Sequence, residues 1–194
     1  MNTGIQFVKN YLSRTWKNER IQDKWTLLPN EQELNKVLVL YNFTDENELF
    51  KELQLIFEIT IHEEHPYKAP SIKTKTPNGR TKINESLCID GLTVWHPESW
   101  SIVTTMSSII ERFLSAFIDT ENIEKGVGFI AEINRDTIRA FAQKSKPWNW
   151  ENYPDLVGEF SDQITEYVVS QIAPPLQERE SEERESEYIY SDEE

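Results

Sequence analysis

Apolar positions along this chain recur with two different periods. Ile5, Val8, Leu12 and Trp16 fall at spacings of three and four, the stripe of one helical face, while Lys9, Lys17 and Arg20 lie on another face that reads first as solvated surface. Val37-Leu38-Val39-Leu40-Tyr41 is a short continuous apolar run. Leu53, Leu55, Phe57, Ile59 and Ile61 then alternate with Gln54, Ile56, Glu58 and Thr60, close to the period of two of a half-buried strand. The polar stretch from Asn42 to Asn47 fits a hairpin loop between these runs. Ser71 to Lys75 predicts a further brief strand. Prolines 66 and 70 keep His65–Pro70 from being regular helix or central strand. Thr76-Pro77-Asn78-Gly79 predicts a turn, because proline fixes φ and Asn and Gly tolerate positive φ.

Arg80 to Ser99 shows no clean period. Ile102, Met106, Ile109, Ile110, Phe113, Leu114 and Phe117 then predict a strongly amphipathic helix, with Ser101 as its N-cap. Ile138, Phe141 and Ala142 predict another, capped by Asn134. Leu156, Phe160, Ile164, Tyr167, Val168 and Ile172 predict a last helix, stopped at Pro174-Pro175. There are no internal repeats. Strands that precede segregated helices imply α+β rather than a wound parallel sheet.

The 194 residues suit one domain and a tail. From Leu176 onward nine acidic and two basic residues carry half of the net charge of −14, and that stretch has too little apolar surface to order itself. The expected division is a core over 1–175 and an acidic disordered tail over 176–194. Within the tail, Ser191-Asp192-Glu193-Glu194 has the pattern of an acid-directed phosphorylation site, although an inert solubilising tail is the simpler reading. The net negative charge argues against nucleic acid and anionic membrane as partners. No stretch nears the ~20 apolar residues of a membrane span, so no membrane insertion is expected. The first residues lack a secretory pattern, and Met1-Asn2 lacks the glycine of a myristoylation signal. One cysteine and three scattered histidines predict neither an internal disulfide nor a zinc site, and point to a reducing compartment, cytoplasm or nucleus.

That cysteine, Cys88, could be a small buried hydrophobe, as free cysteines often are. Its irregular, polar surroundings favour chemistry instead. The segment 65–118 supplies a specific setting. His65-Pro66-Tyr67-Lys68-Ala69-Pro70 resembles the Tyr-Pro-Phe-Lys-Pro-Pro loop of ubiquitin-conjugating enzymes. Thr76-Pro77-Asn78-Gly79-Arg80 is similar to their His-Pro-Asn signature, and more so to the Thr-Pro-Asn-Gly-Arg variant of the tail-anchored, endoplasmic-reticulum class. Cys88 follows Asn78 by ten positions, as in that class, within Leu87-Cys88-Ile89. Trp95-His96-Pro97-Glu98-Ser99-Trp100-Ser101 resembles the class's His-Pro-Asp-Thr-Trp…Trp-Ser before its central helix, and Ala140 to Phe160 its last two helices. The resemblance covers roughly 5–165. The chain departs from it at His65 and Ala69, in a shorter loop before the central helix, and in the acidic stretch where that class carries its anchor.

The resemblance implies the ubiquitin-conjugating (UBC) fold: an N-terminal helix, a four-stranded antiparallel sheet, then helices. It implies that Cys88 accepts ubiquitin as a thioester from an activating enzyme and passes it to an acceptor, usually with a ligase, without a cofactor or metal. A thiol suits acyl transfer because its anion forms at modest pH. Asn78 would rigidify its turn and place its amide near the oxyanion. Asp119, 31 positions past Cys88, is the candidate acid beside the acceptor, with Glu121 its rival. Lys9, Lys17 and Arg20 fall where the activating enzyme would dock, and Tyr67, Lys68, Pro97 and Glu98 where a ligase would. Asp90 is given little weight, and His96 reads as structural rather than as a general base. A non-catalytic binding module of the same fold and a conjugating enzyme for another ubiquitin-like modifier remain competing readings. A cysteine hydrolase is not expected, because no His and Asp/Asn constellation accompanies Cys88 in a recognisable order.

Overall fold

In the computed structural model, residues 3–18, 25–30, 32–44, 47–102, 105–121, 126–154 and 157 are described. The chain divides into Met1–Pro154 and Asp155–Glu194. The predicted last helix, apart from Val157, the acidic tail and the expected boundary after residue 175 lie outside the described residues.

The predicted first helix is α1, Thr3–Asn18. Its apolar stripe turns inward at Val8, which is buried. Its start is tied down by Thr3, whose backbone N–H and hydroxyl both donate to the Glu63 carbonyl. Four antiparallel strands follow in sequential order: β1 (Trp25–Pro29), β2 (Lys36–Asn42), β3 (Gln54–Thr60) and β4 (Ser71–Thr74). The apolar pattern located β2, β3 and β4. The edge strand β1 has no clear alternation in Trp-Thr-Leu-Leu-Pro, and it ends on a proline, which an edge tolerates. The sheet then leads to α2 (Met106–Ile118) and α3 (Arg135–Asn152). This is the α+β architecture that the resemblance implied.

Register explains the core. Val39 stands opposite Phe57 and Val37 opposite Ile59, so the odd-numbered side chains of β2 and β3 share one face. α2 covers that face: Phe113 meets Phe57 with ring centroids 4.4 Å apart, and Phe117 meets Phe50 at 5.1 Å. The β2–β3 connection is longer and less polar than expected. Phe43, Leu49, Phe50 and Leu53 are buried in it, and Glu52 takes a positive φ that delays β3 to Gln54.

Two boundaries have physical causes. The expected cap of α2 at Ser101 is not used. Ile102 is exposed before the helix, and Thr105 is the N-cap. The Thr105 hydroxyl accepts the Ser108 N–H, and the Ser108 hydroxyl accepts the Thr105 N–H, a reciprocal capping box that fixes the helix start. Asn134 does cap α3, accepting the Thr137 N–H at 3.0 Å.

His65 stands where the resembled loop has tyrosine, and it is buried beside Phe7, at 4.1 Å between ring centroids, and Trp100, at 6.0 Å. Its Nδ1 has no hydrogen-bond partner among the described residues. Burial pushes its pKa below the ordinary value. The unfolded chain therefore takes up this proton first. The stabilising effect is complete above the unfolded value of about 6.5 and is lost as pH falls through the window below it. The thermal stability of the natural chain should thus fall from about pH 7 to about pH 5 more steeply than that of His65→Phe, which keeps an aromatic ring in the slot. Parallel losses in the two proteins would reject this assignment.

Candidate active site

Between β4 and α2 the chain forms loops around one short 3-10 turn at Pro97–Ser99. Their shape is set by side chains. The Thr76–Thr81 turn is built on Asn78, which is buried. Its amide donates to the Thr76 carbonyl at 2.8 Å and to the Thr81 hydroxyl at 2.9 Å. Its carbonyl oxygen accepts the Arg80 and Thr81 N–H groups, each at 2.8 Å. Gly79 supplies the positive φ of +73° that closes the turn. Both amide hydrogens of Asn78 are used inside its own turn, so the geometry favours the rigidifying half of its expected role over the oxyanion half. Thr76 anchors the same turn to the rest of the molecule. Its hydroxyl accepts the Ile56 N–H from β3 and donates to Asn149 of α3.

Arg80 carries the turn into the core. The whole side chain is buried, with its guanidinium 4.7 Å from the centre of the Phe129 ring. Its Nε donates to the Phe117 carbonyl at 3.3 Å and its Nη2 to the Asp119 carbonyl at 3.0 Å. These are acceptors at the C-terminus of α2, where positive charge is favourable. Arg80 thereby fixes Asp119, the expected acid. The Asp119 carboxylate in turn accepts the Glu121 N–H at 3.1 Å. The Thr-Pro-Asn-Gly-Arg motif alone assigns Arg80 no role, because its span to helix α2 is not visible in spacing.

A returning segment, Gly126–Ile130, runs beside the turn. Lys82 N–H donates to the Gly128 carbonyl, Ile130 N–H to the Arg80 carbonyl, and Cys88 N–H to the Val127 carbonyl at 2.9 Å. Cys88 is half-buried on this frame. The Nε2 of His96 lies 3.2 Å from its Sγ. The His96 Nδ1 lies 3.2 Å from a carboxylate oxygen of Glu98 and 4.0 Å from one of Asp90. Asp90 is held by the Ser99 hydroxyl, which donates to it at 2.6 Å while accepting the Gly91 N–H. The Asp90 carboxyl is held below the usual range chiefly by that Ser99 bond, and the Glu98 carboxyl chiefly by its own backbone N–H and then by the His96 ring.

This arrangement bears on two expectations. His96, expected to be structural rather than a general base, touches the thiol. A His and a carboxylate do accompany Cys88, in the order Cys, His, Glu, within eleven residues of sequence. Glu98, expected on a ligase-facing loop, is turned toward His96. The other loop residues are placed at the surface: Tyr67 is 81% exposed, and Lys68 pairs with Glu64. The two loops are joined by Trp100, whose indole N–H donates to the Pro66 carbonyl at 2.7 Å. Lys9 is exposed on α1. The side chain of Lys17 and all of Arg20 lie outside the described residues.

Sequence comparison gives this site its context: over about half of its length the chain is similar to ubiquitin-conjugating enzymes. It is 31% identical over 115 residues to ubiquitin-conjugating enzyme E2 34 of Arabidopsis thaliana, covering 58% of this chain and 48% of the relative. It is 36% identical over 104 residues to ubiquitin-conjugating enzyme E2 J2 of Homo sapiens, covering 50% and 38%. It is 29% identical over 103 residues to ubiquitin-conjugating enzyme E2 6 of Debaryomyces hansenii, covering 50% and 40%. The chain thus spans about half the length, or less, of these relatives. No family model matches it. Among solved structures, human ubiquitin-conjugating enzyme E2 G1 aligns with a TM-score of 0.49 at 20% identity, over 61% of this chain and 98% of that one. Among the described residues no helix is long and apolar enough to cross a membrane.

Proposed function

We propose that this chain is a ubiquitin-conjugating enzyme, closest to the class with the Thr-Pro-Asn-Gly-Arg turn, working in a reducing compartment such as the cytoplasm. The Cys88 sulfur attacks the thioester that joins ubiquitin to its activating enzyme. A new C–S bond forms, the old one breaks, and the activating enzyme leaves as its thiol. An acceptor amine or hydroxyl then takes the ubiquitin carbonyl from Cys88, commonly with a ligase holding the pair together. The observation that carries this reading is the placement of the sole cysteine. It is half-buried rather than sealed in the core, ten residues beyond a turn locked by Asn78, in a chain whose relatives carry this activity by name.

The surrounding residues take the following parts. Asn78 and Arg80 hold the frame rigid, and Arg80 sets the helix end that carries Asp119, the acid proposed to face an incoming acceptor. Lys9, with Lys17 and Arg20, offers positive charge to the activating enzyme, which would speed encounter more than it deepens affinity. Tyr67, Lys68 and Pro97 offer a ligase one exposed aromatic anchor and its surroundings. Glu98 lies on the same rim.

A charging assay tests the reading. With activating enzyme, ATP and ubiquitin, the natural chain should gain one ubiquitin in a band that thiol reductant removes. Cys88→Ala should abolish the band, and Cys88→Ser should give an ester that survives reductant. No band with ubiquitin or with other modifiers and their own activating enzymes would sink the conjugating-enzyme reading and leave a non-catalytic binding module or a hydrolase. The line of Cys88, His96 and Glu98 also favours a second reading, a cysteine hydrolase. Such an enzyme would form no band in this assay and would instead cleave ubiquitin from a ready-made conjugate.

A further inference from the structure

The contact between His96 and Cys88 asks for a chemical account that a structural role does not supply. The imidazole bridges two groups of opposite demand. On one side is a Glu98 carboxylate, which when ionised can only accept a hydrogen bond. The ring nitrogen facing it, Nδ1, must then carry a proton. That fixes Nε2, the nitrogen 3.2 Å from Sγ, as the one that can be free to accept. Asp90, 4.0 Å from the same Nδ1, adds negative charge on that side. Backbone bonds hold the ring in place: His96 N–H donates to the Thr93 carbonyl, and the His96 carbonyl accepts the Ser99 N–H.

We propose that His96, oriented by Glu98, is the general base that takes the acceptor's proton when ubiquitin leaves Cys88. The proposal rests on the thioester reading above. The nucleophile's nitrogen or oxygen bonds to the thioester carbonyl carbon, and its proton passes to Nε2. The C–S bond breaks, Cys88 leaves as thiolate, and the thiolate takes the proton back from Nε2. Atoms and charge balance with no other reagent. His96 is then a catalytic residue, and Glu98 a positioning residue that sets the tautomer. Among the described residues, the titratable and charged groups around the ring are Cys88, Asp90 and Glu98 on its own loop, and Arg112 of α2, whose guanidinium crowds Gly91. Glu124 and Lys125, next in sequence to Gly126, lie outside the described residues.

The test follows discharge from enzyme already charged, so that the rate per thioester is independent of how well each variant charges. Water and glycerol serve as acceptors, because neither gains or loses a proton between about pH 5 and about pH 9, and attack by hydroxide is common to all variants and cancels when their pH profiles are compared. For the natural chain, discharge should fall toward acid more steeply than for a variant without the imidazole. His96→Gln should discharge about 100-fold more slowly at neutral pH, and its rate should fall toward acid less steeply than that of the natural chain. Glu98→Gln should slow discharge less and keep the acid limb. A His96→Gln protein with natural rate and pH profile would overturn the role of His96 while leaving the thioester reading intact. Failure of the natural chain to charge at all would instead sink that reading. A slower His96→Gln protein with the pH profile of the natural chain would also overturn the proposal, because loss of packing slows a reaction without changing its pH dependence.

Discussion

Asn78→Ala should cost roughly 3–5 kcal/mol of stability and lower the melting temperature by about 10 °C or more. The side chain is buried and makes four well-formed bonds within three residues of itself. Alanine removes them together. It takes the side-chain acceptor from the Arg80 and Thr81 N–H groups, and the amide donor from the Thr76 carbonyl. Each buried polar group so abandoned costs about 1–3 kcal/mol, less than additively when they share one partner. Set against about 5–15 kcal/mol for a whole domain, that is a large fraction but not unfolding. The chemistry should follow the scaffold: Arg80 loses its fixed start, and with it the frame that holds Asp119 and Cys88. Charging and discharge should therefore fall together. Asn78→Asp keeps the oxygen that receives both N–H groups but loses the amide hydrogens, so it should be the milder change in melting. The opposite pattern would be a normal melting curve with discharge alone collapsed in both variants. It would place the Asn78 amide at the oxyanion and mean that its turn bonds exchange during reaction.

The same residue shows what could be read in advance. Pro77-Asn78-Gly79 announces a turn because each residue type has its own conformational reason to be there, and the turn is found. β3 and α2 were legible for a similar reason: their apolar positions follow a period that only one backbone conformation satisfies, while β2 showed as a short continuous apolar run. β1 was not, since an edge strand needs little apolar alternation and takes its place from pairing with β2. The start of α2 was misplaced because Ser101 and Thr105 are both good caps by type. The choice fell to Ser108, three residues past Thr105, which completes the reciprocal bonds.

At the site, Cys88 and Asn78 could be singled out because motif and spacing mark them. The parts that depend on loops folding back could not. Arg80 acts through carbonyls 37 and 39 residues away. His96 reaches Cys88 because the loop from Asp90 to Ser99 closes on itself through the Ser99 hydroxyl and the His96 carbonyl. A proline after His96 gave no hint of that closure. Hydrogen bonds between irregular segments have no period, and pattern reading has nothing to count there.

Gly126 is the residue at which this hidden geometry can be tested most severely. A side chain there would place its Cβ 2.8 Å from the Cys88 Cβ and carbonyl oxygen and 3.2 Å from Sγ. The two nearer atoms are main chain and the first atom of a side chain, which cannot swing aside as the end of a long side chain can. The hydrogen bond from Cys88 N–H to the Val127 carbonyl, the next residue along, holds the two segments at this separation. Gly126→Val should therefore push them apart, break that bond, and fill space beside the sulfur that a thioester carbonyl needs. Displacement of reacting atoms by about 1 Å can cost about 100-fold in rate, and charging of Gly126→Val should slow by at least that much. Gly126→Ala, with one carbon, should fall between. Thermal melts run alongside separate the causes: a blocked thiol leaves Gly126→Ala well folded yet slow to charge. If Gly126→Val charged at the natural rate, the segment would have to stand away from Cys88 when the activating enzyme binds. The close approach would then belong only to the resting enzyme, and the surroundings of the sulfur during transfer would be built from His96 and the loop that carries it.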